Sequence, residues 1–218
     1  MAMTMAESVK PVAGMPVKWG VAIDLKRCVG CQSCTMACKA EHGTLPGIFW
    51  TRVLEQEEGI YPFAYKVFMP TRCNHCSEPP CVSVCPTGAS YQRDTDNLVL
   101  VDQDKCIGCH SCVVACPYDA RFVPENTRGY YGEELTPFER VSYQKWQKGT
   151  AQKCTLCVHR IDQGLKPACI ETCPAGTLVF GNLNDPQSEI STLLKRRPHY
   201  QPRAELGTDP CVYYLTWD

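Results

Sequence analysis

Cys106-Ile-Gly-Cys109-His-Ser-Cys112-Val-Val-Ala-Cys116-Pro117 is a C-x2-C-x2-C-x3-C-P run, and its spacing decides how the rest of the chain is read. Three thiolates this close can wrap three irons of one cubane iron–sulfur cluster. The fourth, a helical turn further on and followed by proline, points towards a second cluster. One such run requires a partner, and the chain supplies three more cysteine quartets.

The nearest copy is Cys28-Val-Gly-Cys31-Gln-Ser-Cys34-Thr-Met-Ala-Cys38, which begins 78 residues before Cys106. A β-prone stretch feeds each run, Trp19-Gly-Val-Ala-Ile-Asp24 for the first and Leu98-Val-Leu-Val-Asp102 for the second. Strand, aspartate, basic residue and CxGCxSCxxAC thus form an internal repeat and imply duplicated units. Gly30 and Gly108 take corresponding places, where a residue without a Cβ lets the backbone curl round a cluster and aim amide N–H groups at sulfur. The second quartet is Cys73-Asn-His-Cys76-Ser-Glu-Pro-Pro-Cys81-Val-Ser-Val-Cys85-Pro86, whose longer middle gap is stiffened by Pro79-Pro80. The last is Cys154-Thr-Leu-Cys157, eleven intervening residues, and Cys169-Ile-Glu-Thr-Cys173-Pro174.

Seventeen cysteines in 218 residues is a dense supply. The odd count and the spacing favour metal over disulfides, and cluster insertion needs the reduced thiols of a cytoplasm. Sixteen thiolates match four [4Fe–4S] clusters of four cysteines each and leave only Cys211, read as a packed free thiol. Structural zinc is the chemical rival, but zinc sites pair CxxC units and have no use for a three-plus-one spacing. His42, His75, His110, His159 and His199 are then hydrogen-bonding or surface neighbours rather than ligands. Spacing leaves the pairing of runs open between adjacent quartets and a nested order, first with fourth and second with third.

A formal net charge of −1 without a long basic run argues against nucleic acid as a partner. Each oxidised cubane with its thiolates adds on the order of −2. Lys26, Arg27, Arg72, Lys105, Lys153 and Arg160, all near ligands, either offset that charge or are solvated surface residues. No apolar window is long enough to span a membrane. Met1 to Gly20 has no twin-arginine pair and no apolar core, reads as a flexible lead, and leaves any export to a partner. The stretch Glu41 to Thr71 holds Phe49, Trp50, Tyr61, Phe63, Tyr65 and Phe68, suited to core packing or to a docking surface. Arg121 to Thr150 reads as a polar connection without sustained periodicity, Ser188 to Lys195 as a short helix, and Val212-Tyr-Tyr-Leu215 as a β-prone tail.

The order of the four quartets, with the phrases Cys73-Asn-His-Cys76, Ala115-Cys116-Pro-Tyr-Asp-Ala-Arg121 and Lys153-Cys154-Thr-Leu-Cys157, resembles the four-cluster electron-transfer (B) subunits of the dimethyl sulfoxide reductase family of molybdopterin oxidoreductases. Polysulfide, tetrathionate and arsenate reductase B subunits are of this kind, and the match runs from about Val21 to the tail. The resemblance implies nested pairing. One cluster would lie on Cys28, Cys31, Cys34 and Cys173, and its partner on Cys154, Cys157, Cys169 and Cys38. The other pair would lie on Cys73, Cys76, Cys81 and Cys116, and on Cys106, Cys109, Cys112 and Cys85. Relatives with tryptophan in the third quartet hold a [3Fe–4S] cluster; Cys109 is intact here, so four cubanes are expected. Lys39 follows Cys38 where the other runs have proline, which changes the local turn rather than the ligand.

The resemblance further implies an α+β, loop-rich fold of duplicated bacterial-ferredoxin-like units. Its expected parts are a lead over 1–20, a first unit from 21–66 together with 146–182, a second unit with a connecting loop over 67–145, and an extension over 183–218. No nucleophile–base pair or phosphate-binding loop appears, so the chain is expected to conduct electrons and not to act on a substrate. Its implied partners in anaerobic respiration are a molybdopterin guanine dinucleotide catalytic subunit, facing the first-and-fourth pair, and a quinol-handling membrane anchor. The implied place is the periplasmic face of a membrane-associated complex, by co-export with a twin-arginine partner, or alternatively the cytoplasm. A quinone-linked nitrite reductase or hydrogenase subunit without molybdenum, or a stand-alone polyferredoxin carrier, is the alternative function.

Overall fold

A computed structural model of the chain describes residues 14–216. Positions 1–13 of the lead and 217–218 of the tail lie outside the described residues.

Six consecutive buried residues make β1 (Trp19–Asp24), a strand covered on both faces. Further along are α1 (Ser33–His42), β2 (Thr51–Glu58), β3 (Tyr65–Arg72), α2 (Pro80–Ser83), β4 (Ser90–Gln92), β5 (Val99–Val101) and α3 (Ser111–Val114). The second half holds α4 (Pro137–Ser142), α5 (Val158–Ile161), α6 (Ala168–Glu171), β6 (Leu178–Asn182), α7 (Glu189–Arg196), β7 (His199–Tyr200) and β8 (Val212–Leu215). The mixture is α+β and loop-rich, and both β-prone stretches that feed cysteine runs are strands.

The duplication is visible in the pairing. β1, just before the first quartet, pairs antiparallel with β6, just after the fourth, from Trp19↔Asn182 to Ile23↔Leu178. β5, just before the third quartet, pairs antiparallel with β4, just after the second, from Ser90↔Val101 to Gln92↔Val99. The same hairpin-like closure thus recurs, once across a long separation and once locally. The 183–218 segment is built into the larger sheet: β8 runs parallel to β1 and carries β7 on its outer edge, giving the order β6-β1-β8-β7. Ser188 caps α7 by accepting from the Ser191 amide, and Ile190 packs where a Cβ on Gly181 would stand 2.9 Å away. Below the sheet, Trp19 stacks on Phe180 with ring centroids 4.9 Å apart, in a core with Ile23, Leu98, Ile170 and Tyr214.

The aromatic-rich segment divides between buried and exposed positions. Trp50 is buried, while β2 and β3 pair over eight residues and run outward from buried Thr51 and Arg72 to an exposed tip with Ile60, Tyr61 and Phe63. The connection over 121–150 differs from its reading as plain loop, because it contains α4. Thr136 and Glu139 cap that helix reciprocally, and Pro137 occupies its first turn, where the missing N–H costs nothing.

Proline also sets helix length at the cysteines. Pro86, Pro117 and Pro174 follow the last cysteine of their quartets, and α2, α3 and α6 are four residues each. With Lys39 in that place α1 continues for ten residues, and the Lys39 ammonium turns back onto the carbonyls of Thr44, Leu45 and Ile48. Ile23→Ala, at a side chain with no exposure, is expected to lower stability by ~2–5 kcal/mol, whereas Ile60→Ala at the hairpin tip changes it by less than about 0.5 kcal/mol. Denaturant midpoints of the intact protein check both.

Candidate metal centre

The fold draws the sixteen quartet cysteines into four neighbourhoods. Cys28, Cys31, Cys34 and Cys173 line one hollow, and Cys85, Cys106, Cys109 and Cys112 line another. The two hollows occupy equivalent places in the repeat, and each has one exposed cysteine at its rim, Cys31 or Cys109. Ser33 and Ser111, the serines of the repeated CxSC, lie 3.3 and 3.5 Å from those sulfurs. Their hydroxyls favour the thiolate and hold both thiols below the ordinary range.

The other two neighbourhoods are deep. Cys38, Cys154, Cys157 and Cys169 are all buried. Burial, reinforced by Cys154 and Cys169, pushes the Cys157 thiol up to about 12, and burial with Cys154, Cys169 and Cys157 around it also raises Cys38. Cys73, Cys76 and Cys81 are likewise buried; burial with Cys73 and Cys81 nearby pushes Cys76 up to about 12. Cys116 packs against the core patch that holds Cys73, and Tyr118 links the two stretches by feeling both Cys76 and Cys116. Ligation of a metal by such raised thiols must displace protons.

N–H groups already aim at sulfur throughout. The amides of Ser90, Ala151, Leu156 and Thr177 donate to Cys85, Cys106, Cys154 and Cys173 at 3.3, 3.3, 3.4 and 3.4 Å. Arg72 and Arg121 donate to Cys169 and Cys81 at 3.1 and 3.0 Å. Yet Nε and Nη2 of Arg72 and Nε of Arg121 are buried without a partner. Buried donors are rarely left so, and sulfide acceptors held by the adjacent cysteines would satisfy them. Among the described residues no three of His, Cys, Asp and Glu converge tightly enough to hold one metal ion. Zinc gathers its ligands on one ion, whereas a cubane spreads four thiolates over four irons.

The histidines divide by setting. His42 Nε2 lies 3.2 Å from Cys157 Sγ, a contact made possible by the extended α1. His75 is buried and accepts the Val99 amide at Nδ1, His159 meets Glu41 at 2.7 Å, and His110 and His199 are exposed. Cys211 is buried 4.0 Å from Ser77 Oγ, and burial, partly offset by Lys18 and Ser77, pushes its thiol up to about 11. Proximity in sequence does not single out Arg121, because its burial against Cys81 depends on the turn after Pro117.

Comparison with known proteins agrees with this chemistry. A 4Fe-4S dicluster domain model matches residues 64–131 and 132–183, and a 4Fe-4S binding domain model matches 19–40. ArrB, the iron–sulfur subunit of the arsenate respiratory reductase of Shewanella sp. (strain ANA-3), is 39% identical over 91% of this chain and 96% of its own length. The selenate reductase B subunit of Mesobacillus selenatarsenatis and the tetrathionate reductase B subunit of Salmonella typhimurium are each 42% identical over 92% of this chain, covering 72% and 73% of theirs. The chain belongs to the iron–sulfur B subunits of the dimethyl sulfoxide reductase family. It is therefore an electron-transfer protein that binds several [4Fe–4S] clusters and works with a separate catalytic subunit, not an enzyme alone. Among its described residues no helix is long and apolar enough to cross a membrane.

Gly108→Ala tests the hollow of the third quartet. Gly108 has φ +68°, and an added Cβ would stand 2.3 Å from the Gly149 carbonyl oxygen. The variant is expected to lose about four irons per chain, one cluster's worth. Gly132→Ala, which meets nothing within 4 Å, keeps its iron and bears only the conformational strain, so iron per chain separates the two.

Proposed function

We propose that this protein is a four-station relay between a quinol-handling membrane subunit and a molybdopterin guanine dinucleotide catalytic subunit. Its ligand sets would be Cys28, Cys31, Cys34 and Cys173; Cys38, Cys154, Cys157 and Cys169; Cys73, Cys76, Cys81 and Cys116; and Cys85, Cys106, Cys109 and Cys112. The observation that carries the reading is the sequence of neighbourhoods through the core. Cys34 shares a packed patch with Cys169, Cys154 shares the next with Cys73, and Cys81 shares the third with Cys112. The four sets thus follow one another, with an exposed cysteine only in the first and last.

When bound, the clusters supply one-electron carriers whose potentials respond to hydrogen bonds, charge and exposure. The protein's part is to hold them in line and dry in the middle. Ser33 and Ser111 offer hydroxyls at the two wet ends, while Leu45, Ile48, Trp50 and Tyr143 shut water from the centre. The two-unit division at 21–66 with 146–182 and at 67–145 accords with the β1–β6 and β4–β5 pairings. The first unit would face the catalytic subunit and the second the membrane subunit. The complex would lie on the periplasmic face, this chain being carried across folded by a partner that bears the twin-arginine signal.

Anaerobic purification from the native host is expected to give about sixteen iron and sixteen acid-labile sulfide per chain, with molybdenum and a larger chain co-purifying. About twelve iron, or zinc in its place, overturns the four-cubane assignment. Recovery as a lone active monomer, or a complex free of molybdenum, overturns the partner assignment. Cys112→Ser should convert or remove one cluster and stop quinol-linked turnover while an artificial donor still drives the catalytic subunit.

A further inference from the structure

A basic residue stands immediately before the first cysteine of every quartet: Arg27, Arg72, Lys105 and Lys153. The fold treats them differently. Arg27 and Lys105, at the two shallow hollows, are exposed, whereas Arg72 and Lys153, at the two deep groups, keep 3% and 2% of their surface. Arg121, five residues beyond Cys116, joins them at 2%.

Each of these three buried cations lies within electrostatic reach of two cysteine groups. Arg72 sits at the inner end of β3, donates to Cys169 Sγ, and feels Cys169, Cys154 and Cys34, so it faces the first and second groups. Lys153 donates to the carbonyls of Val99 and Cys154 and acts on both Cys154 and Cys81, so it lies between the second and third. Arg121 donates to Cys81 Sγ and to Ser90 Oγ at 2.7 Å and feels Cys81, Cys73 and Cys112, which places it between the third and fourth. Their hydrogen bonds go to sulfur, a hydroxyl and main-chain carbonyls, and among the described residues no carboxylate pairs with them. An uncompensated buried cation is costly, so the opposing charge must come from the cysteine groups themselves. The orphaned N–H groups of Arg72 and Arg121 agree with this.

We propose that Arg72, Lys153 and Arg121 are fixed charges in the three partitions of the relay, each setting the reduction potentials of the two stations it separates. The inference rests on the four-group reading above. Reduction delivers one electron, and no bond forms or breaks, to a site that is already negative. A nearby permanent cation stabilises the added charge, so removing it makes both adjacent stations harder to reduce. Placing one cation in each partition also weakens the repulsion between electrons on neighbouring stations.

The test is an EPR-monitored titration of the purified holoprotein with dithionite as reductant, together with iron per chain. Arg72→Gln is expected to shift the first two midpoints to more negative values and leave the last two in place. Lys153→Met should move the middle two, and Arg121→Gln the last two. Arg72→Lys and Lys153→Arg, which keep the charge, should stay near the parent values. Unchanged midpoints at full iron content, or an equal shift of all four, overturn the proposal. Should the neutral variants lose iron while the charge-keeping ones retain it, the charge is confirmed as a requirement of assembly. Iron loss in both kinds assigns these side chains to packing and overturns it. A parent protein without iron–sulfur signals would instead defeat the cluster reading itself.

Discussion

Sulfur buried at this density needs positive charge or N–H donors around it, and that requirement shapes the molecule. Nine of the sixteen quartet cysteines are buried. A core made only of apolar side chains could not hold them as thiolates, because desolvation disfavours the charged form. The chain answers with backbone amides at Cys85, Cys106, Cys154 and Cys173, guanidiniums at Cys81 and Cys169, and an imidazole at Cys157. Short helices and left-handed turns serve this end better than long regular elements, since they leave amides free to point inward.

Topology turns that local chemistry into a line. Pairing of β1 with β6 brings the first and fourth quartets together across most of the chain, while β4 and β5 close the second and third locally. Cys154 and Cys73 then meet in one packed patch. The exposed cysteines are left at the opposite, shallow hollows. In the proposed relay, electron entry and exit at the surface and insulation in the middle would follow from the same nesting.

The single missing proline shows how one residue redirects an element. After Cys85, Cys116 and Cys173 proline ends the helix within a turn, because it cannot donate its N–H and crowds the preceding residue. After Cys38, Lys39 lets α1 continue to His42, where the ring reaches Cys157 and lies tilted against Trp50, with centroids 4.8 Å apart. Lys39 itself secures the following loop through three carbonyls. The departure from the repeat is therefore compensated by contacts that the repeat elsewhere lacks.

By itself the sequence determined the kind of chemistry and most of the elements that carry it. Spacing marks the candidate ligand cysteines because clusters demand it, β1, α7 and β8 lie where periodicity and caps put them, and the paired Gly30 and Gly108 follow from local backbone need. α4 was hidden because its proline, which reads as a breaker, is compatible with a first helical turn. Only tertiary structure decided which basic residues are buried beside the cysteines. Arg27 and Arg72 precede their cysteines identically, but one follows an exposed turn and the other ends a hairpin anchored in the core. Burial, which raises the strength of a charge, depends on what packs around it and not on its distance along the chain.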